Sequence, residues 1–152
     1  MDYSNILIPV DGSEDAKYAS RVAADLTKAI PGKEMLHLLH CVRPIPNLIG
    51  GEQREKLIEE YKEEAESIFN SAKTILAETG NDCKTYIRYG EVASTITETA
   101  KELGCTLIIM GTRGMSELTS MVLGSVSHDV LQRATVPVLL VNGRKALPQK
   151  GK

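Results

Sequence analysis

Two features of the 152-residue sequence predict an α/β domain built as a single doubly wound open sheet of parallel strands. Five short β-like runs alternate with four helical patterns, as expected for successive strand-helix-strand units. The runs at 5–10, 106–110 and 137–141 are nearly continuous in Ile, Leu and Val instead of alternating, which is how strands covered on both faces read. A chain of this length can bury about 70% of its unfolded surface, so one core suffices without a disulfide or metal staple.

The first run, 5–10, leads into a helix whose Ala16, Ala19, Ala23, Leu26 and Ile30 recur at three- and four-residue steps, a narrow stripe suited to close packing on a sheet. Pro31-Gly32 ends that helix. The second run is 35–42. After Pro44, Pro46 and Gly50-Gly51 a long helix is predicted over 52–79, with Ile58, Tyr61, Ala65, Ile68, Ala72, Ile75 and Leu76 on one side. Its other side is charged, with seven acids between Glu52 and Glu66 against Arg54, Lys56 and Lys62, and reads as a solvated face. The third run, 84–88, precedes a helix marked by Val92, Ile96, Ala100 and Leu103 and closed by Gly104. The fourth run, 106–110, is followed by a helix opening at Gly124-Ser125 with Val126, Val130, Leu131 and Ala134 inward, and 137–141 is the fifth run. Residues 1–142 form the predicted domain. The segment 143–152 holds Arg144, Lys145, Lys150 and Lys152 with no acid, and reads as a disordered basic tail.

Composition excludes several function classes. With 18 Lys+Arg against 20 Asp+Glu the net charge is −2, so no global positive field exists to hold a nucleic-acid backbone. No run approaches the roughly 20 apolar residues needed to cross a bilayer, and the opening Met1-Asp2-Tyr3-Ser4-Asn5 lacks the features of a secretory leader. The expected location is the cytoplasm. Cys41, Cys83 and Cys105 are widely spaced with no C-x-x-C pair, which suggests neither a disulfide framework nor a zinc site.

Ligands of open parallel sheets bind beyond the carboxyl ends of the strands, where the strand order reverses, so the strand-to-helix loops are where chemistry is sought. Pro9-Val10-Asp11-Gly12-Ser13-Glu14 follows the first run. Asp11 there can cap the next helix with Glu14 as capping-box partner, or can reach ribose hydroxyls or a divalent metal beside phosphates; both readings use one geometry. Gly111-Thr112-Arg113-Gly114, nine further residues and Gly124-Ser125 follow the fourth run. Glycines suit sharp turns or close approach to a ligand, and a helix start bearing the Ser125 and Ser127 hydroxyls suits a phosphate, which makes this the strongest signal in the chain; a long flexible connection is the alternative. His40-Cys41-Val42 ends the second run, where a small apolar wall fits a flat base such as adenine or ordinary core packing.

Familiar alternatives fail. Neither G-x-x-x-x-G-K-[ST] nor G-x-G-x-x-G is present. A phosphoacceptor receiver would need an Asp ending the third run and a Lys ending the fifth, where this chain has Arg88-Tyr89-Gly90 and Val141-Asn142. His37 and His40 point to opposite faces and His128 lies alone on the last helix, so structural roles are expected for all three.

These residues resemble the ATP-binding branch of the universal stress protein family. Its nucleotide motif, G-x-x-G, nine residues, then G-[ST], is matched by Gly111, Gly114, Gly124 and Ser125. The resemblance extends through Pro9-Val10-Asp11-Gly12-Ser13, Leu39-His40-Cys41-Val42, Gly124-Ser125-Val126-Ser127 and Pro137-Val138-Leu139-Leu140-Val141. It implies a Rossmann-like, adenine nucleotide alpha hydrolase-like sheet of strand order 3-2-1-4-5. It implies Asp11 beside ribose and phosphates, with Mg a possible metal there, and Pro9 and Val10 beside the nucleoside. Cys41 would contact adenine, Met110 and Gly111 would form the floor, and Arg113, Gly114, Gly124, Ser125, Val126 and Ser127 would surround the phosphates of ATP, ADP or AMP. The loop after Gly114 carries Glu117 and no cation, which leaves Arg113 as its single positive charge. A homodimer through the last strand is also implied, and the uncharged edge of Val138 to Val141 agrees with it. The expected function is a nucleotide-dependent switch in the stress response with an unknown signalling partner, and no catalytic residue is assigned. The alternatives are a weak or partner-activated ATP hydrolase and a dimeric interaction module that no longer binds nucleotide.

Overall fold

In the computed structural model, which describes residues 2–30, 32–114 and 123–143, the strand β1 (Asn5–Pro9) pairs in parallel on both sides. Asn5 to Pro9 align with Met35 to Leu39 of β2 (Met35–Val42), and Ile6 and Leu7 align with Leu107 and Ile108 of β4 (Leu107–Gly111). β3 (Asp82–Tyr89) adds outside β2, and β5 (Val138–Val141) adds outside β4. The result is a five-stranded parallel sheet of order β3-β2-β1-β4-β5, as expected, with the reversal between β1 and β4.

Side chains alternate across the strands, and each face has its own core. Ile6, Ile8, Leu36, Leu38 and Ile109 pack with α1 (Glu14–Ala29) and α2 (Gly51–Leu76), whereas Leu7, Leu39, Ile108 and Met110 pack with α3 (Val92–Glu102) and α4 (Ser125–Arg133). A buried Ile or Leu contributes about 1.5–3 kcal/mol, so both faces of a central strand favour the same residue types and its sequence loses its alternation. β3, at the sheet's edge, spans more residues than expected because it pairs with the whole length of β2, and its half-buried and exposed positions are mixed.

The helices follow the expected stripes with local corrections, among them Leu131 of α4, expected inward but exposed while Val130 beside it is buried. Ser13 caps α1, its Oγ accepting from the Ala16 N–H at 3.1 Å. Ala16, Ala19 and Ala23 are buried, whereas Leu26 and Ile30 are half-buried. Pro31, expected to stop this helix, lies outside the described residues. In α2 none of residues 51–64 is buried, so Ile58 and Tyr61 stay half-buried, and burial begins at Ala65 and recurs at Phe69, Ala72 and Leu76. Phe69 belongs to that stripe although the expected set omits it. All seven acids between Glu52 and Glu66 are exposed, as a solvated face requires. A single 3-10 turn, Ala77–Thr79, completes the stretch predicted as helix. α3 ends as its glycine predicts: Gly104 takes φ +66°, the Cys105 N–H donates to Ala100 O at 2.8 Å, and the Gly104 N–H donates to Lys101 O at 3.2 Å.

One buried carboxylate joins three segments near the reversal point. Asp15 Oδ2 accepts from Thr112 Oγ1 at 3.1 Å, and its Oδ1 accepts from Arg113 Nη2 at 3.3 Å and from the Gly143 N–H at 3.2 Å. Gly143, expected to begin the basic tail, is therefore anchored to α1, and residues 144–152 lie outside the described residues. The helix comes so close to β4 that a Cβ on Gly111 would stand 2.6 Å from Asp15 Cβ and 3.0 Å from its carbonyl carbon.

The Asp15 and Arg113 side chains are only 6% and 7% exposed, so removing one charge strands the other. We expect Asp15→Ala to lower stability by about 3–5 kcal/mol in urea denaturation. A loss below about 1 kcal/mol would mean that Arg113 turns out to water at little cost.

Candidate functional site

A cavity of about 390 Å³ opens beyond the carboxyl ends of β1, β2 and β4, beneath the starts of α3 and α4. Pro9, Val10, Asp11, Ser13 and Ala16 reach it from β1 and the start of α1, and Met110, Gly111, Arg113 and Gly114 from β4 and the loop after it. Ser125, Val126 and Ser127 contribute the first turn of α4. Cys41 lies across from them on β2, with Leu39 before it and Arg43 after it, and Val92 and Ile96 of α3 close the apolar side. A shallower groove of about 520 Å³ follows Glu63, Glu66, Ser67, Asn70, Ser71 and Thr74 along α2, where no strand end or helix terminus converges.

The structure thus brings together every site residue expected from the sequence except Gly124. That glycine is buried at the N-cap of α4, and its N–H donates to Thr112 O at 2.6 Å, so it ties the helix start to the end of β4 instead of lining the space. Residues 115–122, which include Glu117 and most of the nine-residue spacer, lie outside the described residues.

Asp11 is half-buried, and its Oδ1 accepts the Ser13 N–H at 2.9 Å. The capping box considered for Asp11 does not form: Ser13 is the cap, and the exposed Glu14 pairs with Lys17 at 3.4 Å. Asp11 Oδ2 comes so near the β4 loop that a Cβ on Gly114 would lie 2.8 Å from it. The close approach anticipated at Gly111 and Gly114 is therefore made, in this structure, by Asp15 and Asp11.

Arg113 corrects the simplest electrostatic expectation. It borders the cavity, yet Nη2 donates to Asp15 Oδ1 and to Asn142 Oδ1, each at 3.3 Å, and the side chain is buried. An acid 98 positions away in the chain thus holds the charge that the loop's composition assigns to phosphate alone. Ser127 is likewise committed, donating from Oγ to Gly111 O at 2.9 Å, whereas Ser125 at the first position of α4 is exposed. The first turn of a helix presents unpaired N–H groups and the positive end of the dipole, so this corner suits an anion.

The opposite corner is apolar. Burial pushes the Cys41 thiol up to about 12, with Glu91 adding to the rise and Arg88 opposing it, so the thiol is neutral at pH 7. Leu39, Val92, Ile96 and Met110 complete a wall with room for a flat ring. Periodicity signalled Leu39, two residues before Cys41 on the same strand face, and Val92 and Ile96, one helical turn apart, although it assigned them only to the core. Ala16 was signalled in the same way, as the first residue of the α1 stripe, whereas Ser13 and Arg43 carried no periodic signal.

His37 and His40 take structural roles, as expected, whereas His128 is exposed on α4. His40 Nδ1 lies 2.9 Å from Val10 O, which joins β2 to the end of β1. His37 contacts Tyr86 Oη at 2.9 Å and Asn5 Oδ1, and burial, helped by Lys84, lowers its pKa. Among the described residues no group of three or more His, Cys, Asp or Glu gathers as a metal cluster, and no helix is long and apolar enough to cross a membrane.

Comparison with known proteins identifies the family and agrees with the fold. The family model "Universal stress protein family" matches residues 2–142. Universal stress protein YxiE of Bacillus subtilis is 34% identical over 148 residues, covering 91% of this chain and 99% of that protein. The solved structure of MJ0577, from Methanocaldococcus jannaschii, superimposes with a TM-score of 0.75 at 29% identity over 93% of this chain and 97% of that one. A universal stress protein from Archaeoglobus fulgidus, solved in complex with dAMP, shares the fold with a TM-score of 0.65 at 24% identity, over 93% and 99% of the two chains. The chain belongs to the universal stress protein family.

Proposed function

We propose that the cavity binds an adenine nucleotide, with ATP as the ligand that fills it, and that occupancy switches the protein between signalling states. The observation that carries this reading is the polarity of the cavity: an apolar wall at Leu39, Cys41 and Met110 faces a helix start at Ser125 across one space. A nucleotide has that same polarity, a flat apolar base at one end and anionic oxygens at the other. The dAMP complex of the Archaeoglobus fulgidus protein is consistent with a nucleotide in this fold. Pro9 and Val10 would flank the nucleoside, Met110 and Gly111 would lie beneath it, and Ser125 and Val126 would present amides to the phosphates. Arg113 and Ser127 would hold the loop and helix in place for that contact.

Asp11 is the carboxylate suited to Mg²⁺. A magnesium ion commonly takes one or two carboxylates together with phosphate oxygens and waters, so a single acid beside the phosphates is sufficient. When bound, the ion would neutralise phosphate charge. Asp11 would orient it from the β1 side.

Purified protein is expected to release ATP or ADP on denaturation, identified by chromatography and mass, and the Gly114→Val and Gly124→Val variants are expected to release none. Added ATP at a hundredfold excess over Kd should stabilise the wild type by about 2.7 kcal/mol. No released nucleotide together with no rise in melting temperature would overturn the reading. Steady-state turnover of ATP that Asp11→Ala abolishes would replace the switch with a hydrolase.

The Cys41 thiol supplies a readout of occupancy. Because its pKa is raised to about 12, its reactive thiolate is scarce at pH 8 and increases roughly tenfold per pH unit until that value is approached. Peptide-level mass spectrometry of alkylation should show Cys41 reacting more slowly than an unperturbed thiol, and more slowly again with ATP present. An unchanged rate at saturating ATP would place the base elsewhere.

We further propose a homodimer through β5. Val138–Val141 is an uncharged edge strand, and Leu139 is exposed on it. An apolar edge of this kind is a template for a second strand. Light scattering should give the mass of two chains at micromolar concentration, and Leu139→Lys should shift it toward one. A wild-type monomer would sink the proposal.

A further inference from the structure

The cavity presents a planar cation that the family motif does not include. Leu39, Cys41 and Arg43 alternate along the carboxyl end of β2 and all three line the cavity. Arg43 is exposed, and among the described residues its guanidinium enters no hydrogen bond or ion pair. Arg113, by contrast, is already engaged by Asp15 and Asn142. Arg43 also stands on the apolar side, next to Cys41, and not on the β4 loop or at the start of α4.

No aromatic side chain is among the described residues lining the cavity. A purine seated on Cys41 therefore has aliphatic contacts and no ring to stack on. A guanidinium is the other planar group that stacks on a base, and it is less strongly hydrated than an ammonium, so covering a base face costs it less.

We propose that Arg43 closes over the bound purine and stacks on its outward face, making it a determinant of base affinity and not a phosphate ligand. This rests on the nucleotide reading of the cavity. In that arrangement the contribution of Arg43 is the same whatever the number of phosphates, and it depends on the planar fork as well as on the charge. A cation over an aromatic ring contributes roughly a fivefold to thirtyfold change in affinity once desolvated.

The test is calorimetric titration of wild type, Arg43→Ala and Arg43→Lys with AMP, ATP and tripolyphosphate, the last carrying the anion without the base. Since Arg43 is exposed, all three proteins are expected to melt alike, which is checked first. The expected result is an affinity loss of about tenfold for both AMP and ATP in Arg43→Ala, little recovery in Arg43→Lys, and unchanged affinity for tripolyphosphate. A loss that grows from AMP to ATP, that lysine restores, or that extends to tripolyphosphate would make Arg43 a phosphate contact and overturn the proposal. Equal affinities in all three proteins would overturn it while leaving the nucleotide reading intact. A wild type that binds neither AMP nor ATP would remove the nucleotide reading, and this inference with it.

Discussion

The Asp15 carboxylate is the constraint on which the reversal point depends. One buried side chain accepts hydrogen bonds from Thr112, Arg113 and Gly143, so the start of α1, the loop after β4 and the segment leaving β5 share a single anchor. Burying a charge is costly unless a partner and further donors satisfy it, and here Arg113 and two neutral donors do so. Because Gly111 has no Cβ, α1 can lie against β4 closely enough for this network to form. The cavity's shape follows. Arg113 is drawn back toward Asp15 and Asn142, and the start of α4 is held to β4 by Gly124 and Ser127.

A division of labour results. Side chains that sequence spacing would hand to a ligand are used to build the rim: Asp11 secures the turn into α1 through Ser13, Ser127 fastens α4 to Gly111, and Arg113 locks the loop. Toward a ligand the described rim presents backbone at the start of α4, an aliphatic wall, the Asp11 carboxylate and the Arg43 guanidinium at the edge. Such a rim is preorganised, so a ligand would spend little binding energy on ordering it.

Much of the fold could be read from the chain because parallel strands buried on both faces leave continuous apolar runs, as at Ile6, Leu7 and Ile8 and at Leu107, Ile108 and Ile109. Helix ends were legible where a local rule governs them, as with Gly104 after α3. The long helix was less legible in its first half, since the apolar spacing of Ile58 and Tyr61 continues where burial does not. Much of the lining of the cavity was legible in the sequence, and the hydrogen-bond partners of its residues were less so. Spacing identified Gly111, Gly114 and Gly124, but not that Asp15 and Asp11 are what crowd two of them, nor that the third turns inward. Those facts are long-range. Arg113 and Asp15 meet only because the sheet folds two distant segments together, and Arg43 lies just past a strand whose pattern stops at Val42.

All five strands run the same way, so the described chain enters the sheet at one end and leaves it at the other. Asn5 opens β1 on the side remote from the cavity, whereas Gly143, fastened to Asp15, departs beside its rim. The two ends of the described residues are therefore not equivalent as attachment points. A fluorophore or fused domain placed before β1 is insulated from the cavity by the full length of the sheet, and one placed after Gly143 shares its neighbourhood. The polarity of the sheet makes the carboxyl side the natural place for a reporter of changes at the cavity, and the amino side the place for a handle meant to leave it undisturbed.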